Sequence, residues 1–88
     1  RTKYSKPIKE EIEKLEAEIA KNEDLLKRIS GELEKSTLEN DKEKLQNYTH
    51  AIGKLNQMIE ELFEKFTNAN ENLEFIQNKY DREIKQLL

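Results

Sequence analysis

The chain has 88 residues, of which 40% are charged and 34% hydrophobic, and its formal net charge is −3. That leaves room for one small domain, supplies too little apolar side chain for an ordinary globular core, and argues mildly against a broad nucleic-acid surface. There is no cysteine, hence no disulfide framework or thiolate metal site. No apolar run approaches the roughly 18–20 residues of a membrane span, and the basic start lacks the apolar stretch of a signal peptide. The expectation is a cytoplasmic protein without membrane contact, and a start at Arg1 suggests a piece of a longer parent.

Residues 1–6 read as a basic linker: Arg1, Lys3, Lys6 and the following Lys9 put four positive charges in nine residues, with Tyr4 among them. A base can stack on such an aromatic while the lysines meet phosphate, so Arg1, Lys3, Tyr4, Lys6 and Lys9 are the candidate nucleic-acid contacts. The plainer reading is a solubilising linker.

Helix 1 is expected over 7–35. Proline is tolerated in a first helical turn, and Glu10, Glu11 and Glu13 suit the positive helix end. Ile8, Ile12, Leu15, Ile19, Asn22, Leu26, Ile29 and Leu33 then alternate steps of four and three, the spacing of a coiled-coil seam. Asn22 interrupts it. A buried Asn costs stability and fixes register, and in this register Asn56 lies within reach of a hydrogen bond to it.

A turn is expected at 36–40. Ser36 to Glu39 reads as a capping box, and Asn40 to Glu43 offers an equally good start, so helix 2 begins somewhere from Thr37 to Asp41. Helix 2 is expected over 41–88. Leu45, Tyr48, Ile52, Leu55, Ile59, Leu62, Phe66, Ala69, Leu73, Ile76 and Tyr80 alternate steps of three and four. A short polar link between two such helices implies an all-α, two-helix antiparallel coiled-coil hairpin with a longer second helix. With Leu33 opposite Leu45, Ile8 falls opposite Ala69 and helix 1 is used up. The tail still carries Leu73, Phe75, Ile76, Tyr80, Ile84 and Leu87, the candidate protein contacts. Either residues 1–7 lie back along the tail with Tyr4 near Leu73 or Phe75, or helix 2 breaks at 67–72 and folds back, or the tail meets a partner. Residues 67–72 contain no Gly or Pro, which favours a continuous helix.

No catalytic, metal or cofactor constellation emerges. His50 is single and faces outward in the heptad frame, and without a second His or a Cys no nitrogen- or sulfur-rich metal site can form. Gly31 and Gly53 are isolated, not a phosphate loop. Residues 44–59 contain no acid, and Lys42, Lys44, His50 and Lys54, with Lys27 and Arg28 of helix 1, make a neutral-to-basic stretch.

The pattern resembles the C-terminal domain of the ABC-F (Uup-like) ATPases, a two-helix coiled coil after a basic linker. The resemblance rests on RTKYSKPIKEEIEKLEAEI, on NDKEKLQ after the polar turn, and on KLNQMIEELFEKFTNANENLEFI. In the last, Glu64-Lys65-Phe66 stands where the family has Glu, a basic residue and Trp. The resemblance implies a non-catalytic arm of a cytosolic ATPase, contacting DNA, RNA or ribosome or docking on other domains of its parent, with the ATP site outside this chain. Lys3, Tyr4, Lys6 and Lys9 match the family's basic lead-in. The alternative is a protein-interaction or dimerisation coiled coil using the apolar tail. A monomer is favoured, a homodimer being the other outcome.

Overall fold

The computed structural model describes the backbone of residues 2–87 and the side chains of residues 5–86. It is an antiparallel two-helix hairpin, α1 over Thr2–Glu39 and α2 over Lys42–Leu87. Every described residue except Asn40 and Asp41 is helical. The rod measures 71 × 15 × 14 Å, and its length is close to the ~69 Å that α2 alone spans at 1.5 Å per residue.

Two residues make the reversal. The helix does not stop at 35, because Ser36 and Thr37 do not cap a new helix but turn their hydroxyls back into α1. Ser36 Oγ donates to the Glu32 carbonyl and Thr37 Oγ1 to the Leu33 carbonyl, both at 2.9 Å. Asn40 then takes a left-handed backbone, φ 58°, which Asn tolerates better than most residues. Its N–H donates to the Thr37 carbonyl (3.2 Å) and the Asp41 N–H to the Ser36 carbonyl (3.0 Å), the paired bonds of a Schellman ending. Asp41 is at the same time the N-cap of α2, its Oδ1 accepting from the Lys44 N–H at 3.2 Å. Of the two candidate starts, the Asn40–Glu43 segment supplies the cap.

The shorter turn moves the register by half a heptad. Folding about Asn40–Asp41 brings Ser36 level with Leu45 and Leu33 with Tyr48. At the far end it brings Leu15 level with Phe66, Ile12 with Ala69 and Ile8 with Leu73. The buried cluster agrees: Ile12, Leu15 and Ala69 pack together, with Ile8, Leu62, Phe66 and Leu73 against them. The expected pairings of Leu33 with Leu45 and Ile8 with Ala69 are therefore replaced. The seam residues themselves are the expected ones, since each is buried or half-buried.

The far end also differs. Residues 2–6 are not an extended linker but the first turn of α1, and Pro7 lies one turn inside the helix, where its missing N–H removes the bond to the Lys3 carbonyl. Residues 67–72 are helical, with Ala69 buried in the seam and the Asn70 amide donating to the Phe66 carbonyl at 2.9 Å. In this register α1 accompanies α2 back to about Lys79. The overhang from Tyr80 to Leu87 is about two turns, ~12 Å, much shorter than the expected tail.

Candidate interaction surfaces

The open end gathers the described members of the two sets of residues singled out in the sequence. Lys6 and Lys9 are exposed on α1. Lys3 and Tyr4 are helical in backbone, but their side chains, like Arg1 as a whole, lie outside the described residues. A contact of Tyr4 with Leu73 or Phe75 also lies outside them. Leu73 packs on the cluster of Ile12, Leu15 and Ala69, so the hairpin itself covers it. Ile76, Tyr80 and Ile84 are half-buried, and Phe75 is 63% exposed. The Leu87 side chain is outside the described residues. Ile76 and Tyr80 line a shallow concavity with Lys79 and Glu83.

Asn22 does not reach across the seam. Its Nδ2 donates to the Glu18 carbonyl of its own helix at 2.9 Å, and Asn56 points to solvent. Slipping the register by half a heptad takes Asn56 away from it. Asn22 instead joins Lys21, Met58 and Lys65 around a surface concavity. His50 is exposed, as expected, and beside Gly31 and Gly53 an added Cβ would meet nothing within 4 Å.

The neutral-to-basic stretch of residues 44–59, with Lys42, Lys27 and Arg28, does not form one patch. In the heptad frame Arg28 and Lys54 fall on one flank of the hairpin and Lys27 on the other. The Arg28 Nε also sits 3.2 Å from Asp24 Oδ2, an exposed i,i+4 pair of little energetic weight.

Among the described residues no group of His, Asp or Glu is arranged to hold a metal ion, and no helix is long and apolar enough to cross a membrane. Sequence reasoning passed over several exposed apolar side chains. Leu38 stands 88% exposed beside the turn, Leu25 and Met58 are 41% and 49% exposed, and Phe63 is 45% exposed. The heptad frame alone could have found the last three, because each directly adjoins a seam position.

No protein-family model matches the chain, and neither does any curated protein or solved structure. The likeness to the ABC-F arm rests on the residues quoted above.

Proposed function

We propose that the hairpin is a non-catalytic arm of a cytoplasmic protein, an elongated rod that contacts a partner or holds domains apart. The observation that carries this reading is the shape: a rod 71 Å long in which two helices pack side by side. Such a rod offers length and surface rather than an enclosed reaction site. By its resemblance to the ABC-F arm, the partner is nucleic acid or the ribosome, met by the basic open end. Exposed Lys6 and Lys9 are the described residues that support this contact.

A salt titration of binding to a labelled RNA tests it. Phosphate contacts release counterions, so affinity should fall steeply as salt rises, and Lys6→Glu with Lys9→Glu should flatten that slope by about one to two contacts' worth. No binding at low salt would remove the nucleic-acid reading. The second reading would then lead: a protein-interaction coiled coil using the end of α2. It is favoured by Phe75, a large apolar side chain 63% exposed beside the half-buried Ile76.

A further inference from the structure

The net charge of −3 conceals two flanks of opposite sign. On α1, Lys14, Lys21, Arg28 and Lys35 recur every seven residues and stack along one side of the helix. In an antiparallel pair that side faces the side of α2 carrying Lys44, Lys54 and Lys65. The concavity that brings together Lys21, Glu18, Met58, Glu61 and Lys65 places the two helices' residues on this common flank. Over residues 13–35 and 44–65 the flank holds these seven basic residues against Glu18, Glu32 and Glu61, and against Asp24, which pairs with Arg28 at 3.2 Å. Its centre is apolar: Leu25 and Met58 come nearly level there, 41% and 49% exposed.

The opposite flank inverts this over the same span. Glu13, Glu16, Glu23, Glu34 and Glu60 stand against Lys27 alone, all exposed, and Phe63, 45% exposed, lies among them. Each flank thus has the sign and the apolar centre that complement the other. A two-fold pairing would set one flank against itself, like charge on like charge. Back-to-front packing sets opposite charges together and covers Leu25 and Met58 with Phe63.

We infer that the partner of this rod is a second copy of the chain, docked laterally with its acidic flank on the basic flank of its neighbour. Such a contact is heterologous: it leaves one free flank at each edge, so assembly continues past the dimer. A polyanion fits the basic flank less well, because the Leu25–Met58 centre gives it nothing to pair with and Glu18 and Glu61 repel it. The inference is independent of nucleic-acid contact at Lys6 and Lys9, which the experiment below leaves unaltered.

Sedimentation velocity on the full chain tests it. In about 10 mM salt, where charges act over roughly 30 Å, the weight-average mass should rise with concentration beyond two chains. In about 1 M salt, where the range is roughly 3 Å, it should return to one chain. Two variants make the contact specific. Lys21→Glu with Arg28→Glu and Lys54→Glu gives two acidic flanks; Glu16→Lys with Glu23→Lys and Glu60→Lys gives two basic ones. All six positions are exposed, and circular dichroism should show both variants as helical as the parent. Each alone should stay a single chain in low salt, and an equimolar mixture should assemble again. A parent chain that stays single in both salts overturns the proposal. So does a mass that stops at two chains, a variant that assembles like the parent, or a mixture that fails to recover.

Discussion

The two halves of the seam follow one heptad rule and reach different interiors. In the half away from the turn, Ile12, Leu15, Ile19 and Ala69 are buried, between 5% and 8% exposed, with Ile8, Ile59, Leu62, Phe66 and Leu73 half-buried around them. In the half next to the turn, Leu26, Ile29, Leu33, Leu45, Tyr48 and Ile52 are only half-buried. There burial is restricted to Leu55 and to a polar residue, Ser36. Apolar spacing therefore places a residue on the seam without fixing how dry it becomes. In the far half Ala69, level with Ile12, keeps no bulk of its own, and the large side chains around it close over the gap. The near half is held instead by its turn, whose paired carbonyl bonds and Asp41 cap fix the helix ends.

Truncation should expose this difference most strongly. Leu15→Ala removes side chain from the cluster formed with Ile12 and Ala69 and should cost about 2–4 kcal/mol. Leu33→Ala, in the looser half, should cost about half as much, since less apolar area leaves water there to begin with. Thermal melts followed by circular dichroism measure both. Equal losses would mean that the far cluster has no special share in stability.

Ser36 is the next contrast. At 2% exposure it is the most buried residue described, and its hydroxyl is already satisfied within α1. What the position needs is small volume, where the helices come together ahead of the turn. Ser36→Ala should be nearly neutral, because hydroxyl and bond leave together. Ser36→Leu should overpack the site and cost about 1–3 kcal/mol. A stabilising Ser36→Leu would show that the near half has space to spare.

The same residue shows where sequence reading ended. The alternating three and four of Ile8 to Leu33 and of Leu45 to Tyr80 specify two helices, their inward faces and their antiparallel pairing, because burial needs only the right periodicity. They do not specify register. Seams slipped by half a heptad satisfy the periodicity equally well, and the choice falls to the residues that turn the chain. Ser36 and Asp41 both have N-cap chemistry, and ending α1 at 35 rather than carrying it through Ser36 to Glu39 moves every pairing, Asn22 with Asn56 included. What separates them is that Ser36 itself continues the seam from Leu33 and can return its hydroxyl to Glu32, while Asn40 can adopt the left-handed turn. The start of α1 was hidden by Pro7, which suits a first turn but here lies within the helix. The charged flanks were readable as a seven-residue recurrence, but total charge averages them away.

The smallest expected gain bears on the looser half. Gly31 and Gly53 both belong to it, facing out of the helices with nothing within 4 Å of an added Cβ. Each holds a backbone that loses more freedom on folding than any other residue would, and neither has a positive φ to justify it. Gly31→Ala and Gly53→Ala should each raise stability by about 0.5–1 kcal/mol. Amide exchange tells where the gain falls. If the half near the turn opens by itself, protection should rise there, from Leu26 to Leu33 and from Leu45 to Ile52, and stay constant around Leu15 and Ala69. If the rod opens only as a whole, protection will rise equally at both ends. The difference in burial would then be one of packing without a difference in local stability, since a single cooperative unit shares every gain along its length.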